Sequence, residues 1–127
     1  MPPRRSENGS STTELVLVMP VVLFAVMVIV QTGLYFHARQ VVEAAAQEAL
    51  EAAQGETATA DSGTQAGDTF LAEAGGVRDA VVEVTRGGVQ VSVSVTAVAP
   101  NVLPLAVWQV SSSVTGEVER FIRGADR

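Results

Sequence analysis

Cysteine and lysine are absent from this chain of 127 residues, and aromatic residues make up only 5% of it. Without cysteine the chain can form no disulfide and no thiolate metal site, so cysteine usage gives no information about its compartment. A single histidine excludes His-based metal clusters and most nucleophile–base pairs, and no phosphate-binding glycine loop is present. The composition therefore predicts a protein that is not an enzyme and that holds no metal or other cofactor.

Positive charge is scarce as well. Eight arginines stand against fourteen acidic residues, which gives a net charge of −6. Nucleic-acid binding needs grouped Lys or Arg side chains that neutralise phosphates, and the chain has no basic cluster of that kind. Nucleic acid is therefore excluded as a partner, and the length suffices for one small domain.

The longest apolar run extends from Leu15 to Val30, sixteen consecutive residues without a polar side chain, and continues to Phe36 with few interruptions. At ~1.5 Å per residue, residues 15–36 cover roughly 33 Å, enough for the hydrocarbon core of a bilayer. The rest of the chain has too little apolar surface to bury such a helix on all sides. The run therefore predicts a membrane-spanning helix with a bend at Pro20, which spanning helices tolerate.

The charges that flank the apolar run predict its orientation. Arg4 and Arg5 precede it, whereas Arg39 and a net acidic region follow it. The positive-inside rule then places the N-terminus in the cytoplasm and the C-terminal domain outside, in a single-pass protein of the plasma (inner) membrane. The rings of residues 35–37, which include the only histidine, suit the outer membrane interface.

The junction before the run is the most informative segment. A charged leader ends at Gly9, four small hydroxyl residues follow, and Glu14 directly precedes the apolar run. An ionised carboxylate at the edge of a membrane helix is costly unless it is paired, which favours a functional role for Glu14. In isolation, Glu14 could equally be a helix N-terminal acid stabilised by the dipole. That explanation leaves Gly9, five residues earlier and behind a basic leader, unexplained.

This junction resembles the prepilin (class III) signal, in which an aspartic prepilin peptidase cuts after the glycine on the cytoplasmic side. In that family the fifth residue of the mature chain is a glutamate. A cut between Gly9 and Ser10 makes Ser10 the first residue and Glu14 the fifth. The resemblance implies three segments: a cytoplasmic leader (1–9), a retained transmembrane and assembly helix (10–36), and an exported pilin-like domain (37–127).

Within that class the chain resembles the TadE-like pseudopilins of tight-adherence (Flp-type, type IV-like) pilus systems. The resemblance rests on the Gly9-to-Glu14 junction, on residues 15–20 (LVLVMP) and on Glu119-Arg120-Phe121, with Leu15 where members often carry Phe. It implies a non-catalytic structural subunit, a pseudopilin or minor pilin, that reaches a cell-surface pilus. Its implied partners are the prepilin peptidase, other pilin subunits through helix packing, the pilus inner-membrane platform and the lipid bilayer.

The resemblance also implies roles for two site residues. Cleavage creates an α-amino group at Ser10, and the Glu14 carboxylate of a neighbouring subunit can pair with it inside an apolar helix bundle. Either charge alone would be penalised there, whereas the pair is tolerable, so pairing favours one axial stagger between subunits.

Two other functions remain open at this level. The chain could be an uncleaved, signal-anchored membrane protein whose outer domain is an envelope scaffold or a binding module. It could also be a secreted protein that ordinary signal peptidase cuts near residues 44–46. The apolar run is long for the latter, because removed signals usually carry about 7–15 apolar residues.

The exported part is predicted to be α+β: one long N-terminal helix, transmembrane and then amphipathic, with a small antiparallel sheet of about three strands packed on it. Residues 37–54 are rich in helix formers, so one helix is expected from about Ser11 to Gln54. Its second half has an apolar face formed by Val42, Ala45, Ala49 and Ala53. A short helix is expected over residues 64–74, with Ala66, Phe70, Leu71 and Ala74 on one face and Gly75-Gly76 at its end.

Alternating valines predict the sheet. A hairpin that turns at Gly87-Gly88 is expected to pair Arg86 with Val89, Val84 with Val91 and Val82 with Val93, which puts the valines on one buried face. A loop with Pro100 and Pro104 follows. A third strand is expected from Trp108 to Val118, with Trp108, Val110, Val114 and Val118 inward and a bulge at Gly116.

Overall fold

Two helices and three strands make up the fold in the computed structural model, which describes residues 8–120, 122 and 124. The elements are α1 (Asn8–Gln54), α2 (Ala60–Ala74), β1 (Arg78–Arg86), β2 (Gln90–Val98) and β3 (Gln109–Glu117). The strands form one antiparallel sheet in the order β1-β2-β3, which packs with α2 against the second half of α1. The predicted α+β fold is confirmed.

Helix α1 is continuous over 47 residues and ends at the predicted residue, Gln54. Its first half projects beyond the folded domain, because no part of its most apolar window of 18 residues is buried. By length and composition it can cross a membrane. In a buried core helix the residues of this window would be covered by the rest of the protein, so the exposure of this half of α1 does not fit a core helix.

The core lies between the second half of α1 and the sheet. All four residues of the predicted apolar face (Val42, Ala45, Ala49 and Ala53) are fully buried. Val91, Val93 and Val95 of β2 are also fully buried in the same cluster. Alanines on the helix leave room for the branched valines, so the sheet packs closely against α1.

The hairpin register differs from the predicted one by two residues. The observed pairs are Arg86–Val91, Val84–Val93 and Val82–Val95. Neither Gly87 nor Gly88 has the positive φ of a type I′ turn, and the Gly87 amide donates to the Gln90 carbonyl at 2.8 Å, which centres the turn on Gly88-Val89. A shift of two residues leaves every side chain on its original face, so the buried valine face is confirmed although the pairing was wrong.

Helix α2 begins four residues earlier than predicted. The Thr59 hydroxyl accepts a hydrogen bond from the Ser62 amide at 3.2 Å, and the Ser62 hydroxyl accepts one from the Thr59 amide at 3.4 Å. This is a capping box with serine in the position that Glu or Gln usually occupies. The buried residues of α2 are Gly63, Gly67 and Leu71, whereas Ala74 is exposed, so the predicted face was only partly right.

Gly63 brings α2 unusually close to α1. A Cβ at Gly63 would lie 2.8 Å from the Ala49 carbonyl oxygen and 2.9 Å from the Ala53 Cβ. Because one of these contacts is with backbone, it cannot be relieved by a side-chain rotation. The G-x-x-x-G pair of α2 thus fits against the alanine face of α1.

Replacing Gly63 with alanine is therefore expected to destabilise the domain, although alanine favours an exposed helix by about 1 kcal/mol. Overpacking costs about 1–3 kcal/mol, which exceeds that gain. The measurement is the midpoint of thermal unfolding of the full chain in detergent, monitored by circular dichroism. Gly88→Ala, whose Cβ meets nothing within 4 Å, is the matched control. An unchanged midpoint for Gly63→Ala would contradict the close packing.

The third strand is shorter than predicted and has no bulge. Val110 is buried and Val114 half-buried, as expected, but Trp108 lies before the strand and is 36% exposed, so its inward placement was wrong. Gly116 pairs with Val91 in an unbroken register, and a Cβ there would collide with the Gln54 side chain. The sheet irregularity lies instead in β1, between Arg78 and Val81.

Hydrogen bonds join the end of α1 to the sheet. Arg86 donates from Nε to the Ala53 carbonyl at 3.0 Å and from Nη2 to the Gly55 carbonyl at 2.9 Å. Gln54 donates from Nε2 to the Glu117 carbonyl at 2.9 Å. A cation at a helix C-terminus satisfies carbonyls that the helix leaves free and opposes its dipole. The domain is thus fastened to the same helix that carries the apolar run.

Candidate assembly and membrane site

The predicted site residues all lie in the first half of α1. Gly9, Glu14 and Pro20 are exposed, and the backbone of Ser10 is part of the helix. The Ser10 side chain, the leader residues Arg4 and Arg5, and Phe121 of the late motif lie outside the described residues. The structure thus arranges the site along one helix, away from the domain, and the segment boundaries and site roles stay predictions.

Nothing in the fold requires glycine at position 9. A Cβ built there meets no atom within 4 Å, and Gly9 is not among the glycines with positive φ. The Gly9 carbonyl accepts a hydrogen bond from the Thr13 hydroxyl at 2.9 Å, which any residue could do. A need for glycine at this position would therefore come from a protein that binds the junction.

Glu14 is the seventh residue of α1, and no acidic residue lies in the first turn. The stabilisation of acids by the helix dipole fades beyond that turn, which weakens the explanation of Glu14 as a simple N-terminal acid. Arg39, the next described cation on the helix, lies 25 residues further on. At ~1.5 Å per residue it is roughly 38 Å away, so the two cannot pair within one subunit.

The apolar run exposes large side chains around the whole circumference of α1. The most exposed are Val16 (66%), Leu17 (69%), Val21 (67%), Leu23 (61%) and Ile29 (70%). A helix that is apolar all round must be surrounded by other apolar material, either lipid or neighbouring helices. This surface is therefore suited both to a bilayer and to a bundle of subunits.

Helix α1 continues through Pro20 without interruption. Proline has no amide hydrogen, so the Val16 carbonyl loses its usual donor there. The Thr13 and Thr32 hydroxyls, near the two ends of the run, donate to carbonyls four residues earlier at 2.9 and 2.8 Å. Their polar groups are thus satisfied inside the helix, as a membrane requires. The bend at Pro20 stays a prediction.

Sequence reasoning missed the role of Gln31, which it had counted among the spanning residues. Gln31 is only 3% exposed. Its Oε1 accepts from the Val102 amide at 2.8 Å and from the Leu103 amide at 3.3 Å, and its Nε2 donates to the Pro100 carbonyl at 3.2 Å. The loop between β2 and β3 is therefore bound to α1 just after the apolar run. The available signal was a glutamine directly after the apolar run, inside the segment expected to span the membrane.

Aromatic rings lie one turn further along α1. Tyr35 makes edge-to-face contacts with Phe36 and Trp108, with ring centroids 5.9 and 6.2 Å apart. The sequence predicted Tyr35 and Phe36 at the membrane interface, and the structure adds Trp108 to this group of rings. Aromatic rings are enriched where a membrane helix leaves the hydrocarbon.

A shallow groove of about 370 Å³ on the folded domain is lined in part by Glu48, Phe70 and Glu73. Over residues 8–120, 122 and 124 no group of three or more metal-ligating side chains comes together. These features do not point to a reaction or a cofactor.

A comparison with protein-family models matches residues 9–50 to the family described as TadE-like protein. Residues 9–50, about a third of the chain, are similar to this family. The TadE-like segment begins at Gly9, includes Glu14 and Pro20, and ends within the part of α1 that packs on the sheet. No curated protein and no solved structure matched the chain.

The TadE-like match confirms the resemblance inferred from the junction, and it does not extend to Glu119-Arg120-Phe121. Together with the one helix of the described residues that can cross a membrane, it indicates a pilus-associated, single-pass membrane protein.

Proposed function

We propose that this TadE-like protein is a non-catalytic structural subunit, a pseudopilin or minor pilin, of a tight-adherence type pilus. Prepilin peptidase removes residues 1–9 on the cytoplasmic side. The subunit then waits in the inner membrane with its domain outside, until the pilus platform moves its helix into a bundle with other subunits. The observation that carries this proposal is the TadE-like match, which begins at the glycine of the junction and covers the apolar run, where no residue is buried.

Packing and charge pairing must set the geometry of such a bundle. When a helix moves from lipid to neighbouring helices, its apolar surface exchanges one apolar environment for another and gains little hydrophobic free energy. Pairing of the Ser10 ammonium with a neighbour's Glu14 then favours one stagger, because any other stagger leaves both charges unpaired. The exposure of Glu14, with no described cation within reach on its own helix, supports this role.

The continuity of α1 supports retention of the apolar helix. Ordinary signal peptidase cutting near residues 44–46 would sever α1 where Ala45 and Ala46 are fully buried. It would also remove Val42, which is fully buried in the same core. A secreted product would thus lose part of its own core, so removal of the helix is disfavoured.

An uncleaved, signal-anchored protein with a scaffolding or binding domain is the second candidate, and the continuous helix with its attached domain favours it equally. The two candidates differ in whether the peptide bond between Gly9 and Ser10 is cut. Intact-mass analysis of the protein from its native host separates them directly.

The expected result is a chain that begins at Ser10, because the junction matches the prepilin pattern. A mass that still includes Arg4 and Arg5 would support the signal-anchored candidate and contradict the pilin proposal. A chain that begins near residue 45 would contradict both. Expression in a host without a prepilin peptidase is the control, and there the full-length mass is expected.

A further inference from the structure

The loop between β2 and β3 carries an apolar surface that the proposed function does not use. This apolar loop, Ala99–Trp108, contains no charged residue. Its large side chains are exposed at Val102 (40%), Leu105 (79%), Val107 (74%) and Trp108 (36%). Soluble loops are normally polar, so an exposed apolar cluster of this kind marks an interaction surface.

Gln31 fixes the position of the apolar loop along α1. A span that starts at Leu15 needs about 20 residues, and therefore reaches to about Leu34. Gln31 lies three residues before that point, which is roughly 4–5 Å on the hydrocarbon side of the boundary at ~1.5 Å per residue. Because the Pro100 carbonyl and the Val102 and Leu103 amides bond directly to Gln31, this part of the loop shares its depth.

Several polar backbone groups of the apolar loop form hydrogen bonds within the protein, which suits an environment with little water. Besides the three bonds to Gln31, the Ala99 amide donates to the Trp108 carbonyl at 2.8 Å. The Asn101 side chain donates to the Ala106 carbonyl at 2.8 Å. Pro100 and Pro104 have no amide hydrogen to satisfy. Free backbone groups cost several kcal/mol in hydrocarbon, and internal bonds remove much of that cost here.

We propose that the apolar loop inserts into the headgroup–acyl boundary of the bilayer leaflet next to the folded domain. Leu105 and Val107 contact acyl chains, and Trp108 lies with Tyr35 at the headgroup level. The loop thereby gives the domain a second attachment to the membrane beside α1 and restricts its tilt. This inference rests on the membrane span of the proposed function and adds the contact that sets the orientation of the domain.

Lipid rather than a second subunit is the occupant because the surface is continuous with the membrane helix. The loop is bound to α1 immediately after the apolar run, at a depth where bilayer surrounds an unassembled subunit. An interfacial segment needs an uncharged apolar face and aromatic rings, and the apolar loop has both.

Trp108 is the only tryptophan of the chain and therefore reports on the loop directly. The full chain is reconstituted in phosphatidylcholine–phosphatidylglycerol vesicles, and vesicle flotation after a carbonate wash first establishes that α1 is inserted. Trp108 fluorescence is then quenched with lipids brominated near the headgroup end or near the methyl end of the acyl chain. Bromine near the headgroup is expected to quench more strongly, and aqueous iodide to quench weakly.

Leu105→Asp is expected to lower the lipid quenching roughly threefold, because the contact of leucine with acyl chains is lost and the new charge must stay hydrated. Val89→Asp is the matched control and should leave the quenching unchanged, since Val89 is 64% exposed in the turn before β2, at the end of that strand opposite the apolar loop. Gln31→Leu keeps α1 apolar but releases the loop, and should expose Trp108 to iodide. Stronger quenching of Trp108 by iodide in Gln31→Leu would support the role of Gln31 in holding the apolar loop against α1.

Two outcomes of the quenching experiment would overturn the inference while leaving the pilin proposal intact: a floating chain whose Trp108 is quenched by iodide but not by brominated lipid, or equal effects of Leu105→Asp and Val89→Asp. Blue-shifted Trp108 emission that arises only on subunit assembly would point to a neighbouring subunit instead, and would also overturn it. A chain that does not float with the vesicles would contradict the membrane span itself.

Discussion

Replacing Gly9 with alanine is expected to leave the leader attached, so that the purified chain keeps its full-length mass. Gly9 lies within α1, whereas a peptidase needs an extended backbone at the bond that it cuts. Alanine holds a residue in a helix more strongly than glycine by about 1 kcal/mol, which alone slows cleavage only about fivefold. A complete block therefore requires that the peptidase also excludes the added methyl group.

The structure makes this substitution a clean test. A Cβ at Gly9 meets no atom within 4 Å, so the fold is not strained. Gly33→Ala is the matched control, because Gly33 lies on the same helix and its Cβ also meets nothing. Normal processing of Gly9→Ala would refute the junction interpretation. Fivefold slower processing would keep the cleavage site but assign the role of glycine to helix unwinding.

The sequence predicted those elements whose signal is periodic and local. The apolar run and the strong helix formers after it predicted α1, and both ends of the observed helix lie within three residues of the prediction. Alternating valines predicted the buried face of β1 and β2, which the structure confirms. The fold class follows from these patterns because the first predicts one long helix and the second predicts a sheet with one buried face.

Features that depend on contacts between distant segments could not be predicted in the same way. The hairpin register was wrong by two residues, because the apolar pattern is the same in both registers and only the turn distinguishes them. Gly116 was expected to mark a bulge. Its actual neighbour is the side chain of Gln54, 62 residues earlier.

The same limit applies to the site. Gly9 and Glu14 were recognised because their spacing is local, and the TadE-like match begins at that junction. The roles of Gln31 and Trp108 were missed, because they depend on contacts between distant segments. Gln31 binds a loop about 70 residues further along the chain, and Trp108 of that loop contacts Tyr35. A polar residue inside an apolar run was visible, but the sequence does not show what it binds.

Replacing Glu14 with glutamine is expected to leave membrane insertion intact and to prevent assembly. Glutamine has nearly the same shape but no charge, so it enters the bilayer edge at least as readily. In the bundle it would leave the Ser10 ammonium of a neighbour without a counter-charge. Breaking a buried ion pair costs about 3–5 kcal/mol, which lowers the association constant by a factor of roughly 10² to 4 × 10³.

Cross-linking between subunits in native membranes measures this loss, and carbonate extraction verifies insertion. Glu43→Gln is the matched control, because Glu43 is an exposed acid on the same helix outside the apolar run. The intact mass of Glu14→Gln must first show a chain that begins at Ser10. Assembly at the wild-type level, or an equal loss with Glu43→Gln, would contradict the pairing.

A double variant tests whether Gly9 and Glu14 act through the same charge pair. An uncleaved chain has an amide at Ser10 in place of an ammonium, so Gly9→Ala already removes the partner of Glu14. Adding Glu14→Gln to Gly9→Ala should then lower subunit cross-linking by almost nothing further, so the effects of the two substitutions on assembly should not be additive. Additive losses would mean that Glu14 stabilises the assembly through a different group. Strong non-additivity would connect leader removal to subunit registry by a single ion pair.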